Sequence, residues 1–334
     1  MLDAGVSAAG CGPCRPAAGS GSVTGFTITV FAGPLAGPTA PDSIAVVGKS
    51  IWVAYGNGGD PGGTNGAMSQ IVEYDAAGKV KHTLTVTGHN DGLRLDPTTH
   101  QLWALQNEDS NPNLVVIDPI TRFTVNYTFA VLPPHGGGYD DIVFINRAVY
   151  LSASAPKLDA NGHSIGPSIV RANLVAASQM VEVTPVLSGT PVADNIPFGR
   201  DSRLNLTDPD SMILTPSGEV LLDDQEHGQL VFVSPNAPLR VLPLLGTVQV
   251  DDTVFATSRH GVLLVADRDA NTNYKVTTPV WPLDAAYSAV TNTTGTAPAT
   301  FAPYVGQLDL TSGAVVPVVT NLVSPHGMAF IKAP

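Results

Sequence analysis

Asp42-Ser43-Ile44-Ala45-Val46, a turn at Gly48-Lys49, and Ser50-Ile51-Trp52-Val53-Ala54 form the stretch that decides the fold. Asp140-Asp141-Ile142-Val143-Phe144, a turn at Asn146-Arg147, and Ala148-Val149-Tyr150-Leu151-Ser152 repeat it without a gap. In both, a polar residue is followed by bulky residues two and four positions on, the period of a β-strand. Four more copies begin at Asp91-Gly92-Leu93-Arg94-Leu95, Asp210-Ser211-Met212-Ile213-Leu214, Asp251-Asp252-Thr253-Val254-Phe255 and His326-Gly327-Met328-Ala329-Phe330. The fifth leads into Gly261-Val262-Leu263-Leu264-Val265, read as its second strand.

Third strands follow, such as Asn113-Leu114-Val115-Val116-Ile117 and Gln229-Leu230-Val231-Phe232-Val233, then fourth strands over 81–87, 124–131 and 239–245. The copies are spaced by 49, 49, 70, 41 and 75 residues. Four antiparallel strands at a repeat of roughly 40–50 residues, with insertions, predict an all-β fold, a β-propeller. Six first strands predict six blades. Only Ile331-Lys332-Ala333-Pro334 follow the sixth copy, so the last blade is expected to be incomplete. A strand at 25–31 is expected to close it from outside, pairing the two ends and removing exposed edges. The alternative is five full blades plus a partial one. Residues 1–22 are expected to form a flexible tail and 23–334 a single propeller domain.

Composition agrees with an all-β reading. The 334 residues include 33 Gly and 28 Pro, a density that helix interiors tolerate poorly, while 43% hydrophobic content is enough for a core. The net charge of −12 and the lack of a basic run argue against nucleic acid and anionic membrane as partners. No apolar run approaches the roughly 18 residues of a membrane span. A small-molecule ligand and a monomer are expected. Few lysines and many Thr, Ser, Asn and Pro residues suggest a secreted or periplasmic protein without its leader. Cys11-Gly12-Pro13-Cys14 precedes linker-like sequence, so a local disulfide is a better expectation than a redox centre.

Loop lengths distinguish the two faces. Residues 56–67, 133–139, 155–167, 189–208 and 268–302 read as long loops on the face where repeats start, whereas the opposite face carries short turns. On the long-loop face the repeat-start residues, Asp42, Asp91, Asp140, Asp210, Asp251 and His326, should converge at the channel mouth. Two like charges about 4 Å apart repel by roughly 4 kcal/mol at an effective dielectric near 20, so such a ring takes up protons or a cation. An oxygen-rich, thiolate-free set suits Ca²⁺, or Mg²⁺. An aspartate at a strand start also caps turns, and that role is expected of Asp91 and Asp251.

Asn90-Asp91-Gly92, followed by Asp96-Pro97 and the strand at Trp103, resembles the second-blade motif of the gluconolactonase (regucalcin-like) family of calcium-binding propellers. Pro209-Asp210-Ser211-Met212 is similar to that family's fourth-blade segment. The resemblance implies a channel cation held by Asp42, Asn90, Asp140 and Asp210, with Asp42 standing where the family has Glu and Asp140 where it has Asn.

The function expected is a metal-dependent hydrolase of lactone or ester type, acting on a lactone or sugar acid. Asp210 or Asp140 would be the general base and His135 or His326 a proton shuttle. A non-catalytic secreted propeller with a structural cation is the alternative. The third reading is a zinc lyase, drawing on His89, His135, His227 and His326. Glu108, Asp109, Asp223, Asp224 and Glu226 extend the acidic rim, and Arg200, Arg203 and Arg268 are the expected cationic counterparts.

Overall fold

The computed structural model describes residues 21–129, 133–291 and 302–333. Cys11 and Cys14 lie outside them. Pro41–Val47, Ser50–Tyr55, Met68–Tyr74 and Val80–Thr87 pair in that order as the first four-stranded unit. Asn90–Leu95, Leu102–Gln106, Asn113–Ile117 and Thr124–Phe129 form the second. Ile142–Ile145, Ala148–Ser152, Pro167–Val175 and Met180–Ser188 form the third. The fourth comprises Pro209–Leu214, Val220–Asp224, Gln229–Val233 and Arg240–Pro243. The first strands touch in a closed ring, each against the next and the last against the first. This is a β-propeller.

The last two units interleave. Val250–Phe255 pairs not with the strand that follows it but with Ala286–Val290, which continues to Tyr304–Leu308 and Val315–Thr320. Gly261–Asp267 instead lies beside the final strand, Pro325–Lys332, with Leu263 opposite Phe330 and Val265 opposite Met328. Thr272–Thr277 and then Thr27–Ala32 complete that sheet. The N-terminal strand is thus the outer strand of the sixth unit, as expected. That unit is not incomplete, because the chain visits it twice before returning to the fifth. Within the span expected as a loop over 268–302, the described residues carry two strands, Thr272–Thr277 and Ala286–Val290. Gly21–Ser22 pairs with Val319 and Thr320, so strand pairing begins two residues before the expected domain boundary.

Six apolar clusters fill the spaces between neighbouring units. Trp103, Leu105 and Leu114 of the second unit meet Ile142, Leu151 and Val170 of the third. Trp281 joins the last two units, edge-on to Tyr287 and Phe330 at 5.1 and 5.3 Å. Each fully buried Leu or Phe contributes about 1.5–3 kcal/mol, so stability is spread around the ring. The 189–208 segment includes a hairpin, Val192–Asn195 with Arg200–Arg203, added to the fourth sheet beside Arg240 and Val241.

The residue after each repeat start sits where neighbouring units approach. A Cβ added to Gly92 would stand 2.2 Å from the Asp140 carbonyl oxygen, and one added to Gly327 would stand 2.4 Å from that of Asp42. Glycine at those two positions lets the backbones of adjacent first strands close on each other.

Candidate functional site

A cavity of ≈ 260 Å³ occupies the end of the channel where the first strands begin. All six repeat-start residues line it: Asp42, Asp91, Asp140, Asp210, Asp251 and His326. Asp141, Asp252, Asp208, Glu108 and Asp109 also line it, against only Arg94, Arg268 and His326 as cationic groups.

On one side of the cavity lies a chain of carboxyls. Glu108 lies beside Asp140, and Asp140 beside Asp210, each pair close enough to share a proton. Gln225 Nε2 donates to Asp210 Oδ2 at 2.7 Å. Two carboxyls can bond each other only by holding a proton between them. Burial, reinforced by the neighbouring negative charges, pushes Asp140 up to about 8 and holds Asp210 and Glu108 well above the carboxylate range. Asp208 is raised to about 7 by burial and by Asp224.

A second group sits on another side. His326 Nδ1 lies 2.7 Å from Asp251 Oδ1 and 3.9 Å from Asp42 Oδ2, and its Nε2 faces Ser324 Oγ at 3.1 Å. Burial opposes the imidazolium, but the charges of Asp251 and Asp42 outweigh it and raise His326 to about 9. Burial raises Asp42 to about 6 even though His326 pulls it down. Asp251 is therefore an ion-pair partner inside the cavity, not the expected turn cap. Asp91 departs from expectation likewise: its Oδ1 pairs with His89 Nε2 at 2.8 Å. Backbone capping falls to the next residue in two units, where Asp141 Oδ2 accepts the Met212 N–H and Asp252 Oδ2 the Met328 N–H.

Of the four ligands that the resemblance implies, Asp140 and Asp210 touch each other, while Asp42 stands with His326 and Asp251. Asn90 does not line the cavity. It is fully buried, and its amide donates to the carbonyls of Leu105 and Gly92 within its own sheet. The first position of a strand points its neighbour, Asp91, into the channel and turns Asn90 toward the adjacent strand.

His135 is also displaced from the cavity. Its Nε2 contacts the Gly138 carbonyl at 2.6 Å and its ring packs on Tyr139 at 5.2 Å. Burial lowers it, and it takes no part in the cavity lining. His227 sits on a single helical turn, paired with Asp224 at 3.0 Å. Among the described residues, each cluster of potential metal donors holds a single histidine, so the three-histidine zinc set is not assembled.

Arg200 and Arg203 are exposed on the added hairpin, with Arg200 5.5 Å from the Phe198 ring centroid. Sequence reasoning missed Arg94, which reaches Asp141 at 2.5 Å and Asp252 at 3.9 Å. It separates the acidic cavity from an apolar one at the other end of the channel, lined by Val143, Ile213, Val254 and Phe330. The signal was present. Three residues after each repeat start stand Ala45, Arg94, Val143, Ile213, Val254 and Ala329, and Arg94 is the one charge among them. Asp223 is buried near Asp224, Asp251 and Asp208, with neither carboxyl oxygen hydrogen-bonded.

No family model matches the chain, and no curated protein matches it in sequence. Solved structures similar to it include a protein of unknown function from Bacteroides caccae, 11% identical, covering 90% of this chain and 89% of that one with a TM-score of 0.51. A Lactobacillus plantarum protein is 12% identical, with coverages of 89% and 90% and a TM-score of 0.50. The periplasmic gluconolactonase of Pseudomonas aeruginosa is 11% identical, with coverages of 88% and 89% and a TM-score of 0.49. At these identities the likeness concerns the fold.

Proposed function

We propose that the cavity is the divalent-cation site of an enzyme that hydrolyses lactones or esters. The observation that supports it is the convergence of Glu108, Asp140, Asp210 and the other repeat-start acids on one cavity, where burial raises these three carboxyls toward holding protons that a cation would replace. The donor set fits: it is oxygen-rich, preformed on first strands, and free of thiolates, as Ca²⁺ or Mg²⁺ prefers. Asp140 and Asp210 would hold the ion, with Asp42 and Asp251 facing them. When bound, the cation supplies Lewis-acid polarisation of the ester carbonyl.

The remaining roles fall to side chains. Asp210, oriented by Gln225, takes the proton of the attacking water, with Asp140 as the neighbour through which that proton leaves. His326, an imidazolium below about pH 9, is placed to donate a proton to the departing alkoxide. Arg268 lines the same cavity and can grip a hydroxyl of the substrate. His135 has no role in this scheme. A small neutral lactone suits a wall this acidic better than a free sugar acid. No helix among the described residues is long and apolar enough to cross a membrane, and a secreted or periplasmic setting, where Ca²⁺ is abundant, goes with this reading.

Assay of the purified protein on a lactone and ester panel, with chelator and with Ca²⁺ restored, tests it. Turnover that chelator abolishes and Ca²⁺ restores is the expected result. Cation binding without turnover on any substrate would leave the non-catalytic binding propeller as the correct reading.

A further inference from the structure

His89, Asp91 and Glu108 place one imidazole nitrogen and two carboxylate oxygens within 4.8 Å of one another. All three come from one end of a single hairpin: His89 and Asp91 flank the start of Asn90–Leu95, and Glu108 lies two residues past Leu102–Gln106. Their backbone is fixed. Asn107 donates its N–H to the His89 carbonyl at 2.7 Å and accepts the His89 N–H on its side chain at 2.9 Å. Asn107 itself has φ of 63°, which turns Glu108 back toward the cavity. The loop before the hairpin closes over the imidazole, where a Cβ at Gly56 would stand 2.5 Å from His89 Cε1.

Polar atoms in this corner lack partners. Asp91 is 8% exposed and lines the cavity, yet its Oδ2 has no hydrogen bond, and neither has Nδ1 of His89, which is 2% exposed. A buried carboxylate oxygen left without a donor is costly unless something occupies the space beside it.

We propose that His89, Asp91 and Glu108 form a second cation site, joined to the first through Glu108, which lines the same cavity as Asp140. It extends the reading of the cavity as a cation site, but its donors do not include Asp210. One imidazole with two carboxylates suits a borderline divalent ion of the Mn²⁺ or Zn²⁺ kind better than Ca²⁺. The cavity is then a mixed two-cation centre, with Glu108 as the bridging carboxylate and the nitrogen donor on one side only.

Equilibrium dialysis against Mn²⁺, with the metal counted per chain, tests this on the wild type, His89→Gln, Glu108→Gln and Asp210→Asn. Circular dichroism and melting serve as controls for folding. Two Mn²⁺ per chain are expected in the wild type. His89→Gln should lose one of them, and so should Asp210→Asn, while Glu108→Gln should weaken both by at least about tenfold. Co²⁺ bound in place of Mn²⁺ should show visible absorption that His89→Gln removes. Stoichiometry and Co²⁺ absorption unchanged in folded His89→Gln would overturn the second site and leave the first standing. Loss of Mn²⁺ in His89→Gln with full retention in Asp210→Asn would instead overturn the Asp140–Asp210 site and keep this one. If His89→Gln does not fold, an unchanged Mn²⁺ affinity at both sites in Glu108→Gln overturns the proposal.

Discussion

Asp252 Oδ2 accepts the backbone N–H of Met328 at 2.7 Å, and so fastens the fifth first strand to the sixth. Asp141 does the same for Met212, fastening the third to the fourth, and also bonds its own unit through the Ile142 N–H. The adjacent residues, Asp251 and Asp140, turn into the cavity. Both acids of each pair reach the cavity wall, and the second of them also holds the ring. Asp141→Ala should therefore destabilise the fold by roughly 2–4 kcal/mol, since it strips a buried N–H of its acceptor and leaves Arg94 unpaired on that side. Urea unfolding with an unchanged m-value would show it. A loss below about 0.5 kcal/mol would mean that the staple is not structural.

The cation-free protein should become less stable as pH rises. Asp42, Asp208, Asp252 and Asp140 have folded-state values of about 6, 7, 7 and 8, all above the ordinary 3.8. A carboxyl raised by folding stabilises fully below its unfolded value, and the advantage is lost as pH climbs through the folded one. His326, raised from 6.5 to about 9, acts in the same direction. Melting temperature in chelator should therefore fall steadily between pH 5 and pH 9, and Ca²⁺ should flatten the fall. A chelated protein that melts higher at pH 8.5 than at pH 5.5 would contradict the assignment.

Cation uptake should release protons over the same window. Asp140 is raised to about 8 by burial, so below that pH a binding ion must displace its proton. Affinity for Ca²⁺ is expected to rise from pH 6 to pH 9. Calorimetry in buffers of different ionisation enthalpy would count the protons released, and a heat independent of buffer at pH 7 would count against the carboxyl chain.

Arg94→Met should be more damaging than its partial burial suggests. It leaves Asp141 and Asp252 facing each other without their shared cation. Removing one partner of a buried pair costs about 3–5 kcal/mol. The loss should be smaller at pH 5.5 than at pH 8, because a protonated Asp252 needs no counter-ion. Equal losses at the two pH values would assign Arg94 a packing role alone.

The repeat made the propeller and the ring of cavity residues legible, because strand period and repeat start are local properties. What it concealed was pairing. Gly261–Asp267 follows Val250–Phe255 by only a few residues, and nothing in its apolar pattern distinguishes a hairpin partner from the neighbour of Pro325–Lys332. Trp281, distant in sequence, meets the start of that strand, its Nε1 donating to the Gly261 carbonyl at 3.0 Å. Similarly, Asn90 and Asp91 are adjacent and both polar, and only the register with Gln106 and Ala104 shows which enters the channel. His135 looked functional because its loop is long and glycine-rich. Gly137 and Gly138 in fact pack that loop against the Ser154 and Glu108 carbonyls, which folds the imidazole inward.

The measurement closest to the centre of this account is calorimetric titration of Ca²⁺ into the metal-free wild type and into Asp210→Asn. The asparagine keeps the shape but cannot ionise to hold the ion, and because Asp210 already carries a proton in the metal-free protein, the variant should be about as stable as the metal-free parent. A saturable Ca²⁺ isotherm is expected in the wild type, with affinity at least about tenfold lower in the folded variant. Equal affinity in the two proteins would contradict the account, because the acid at the end of the carboxyl chain, to which both roles are assigned, would then be neither ligand nor base.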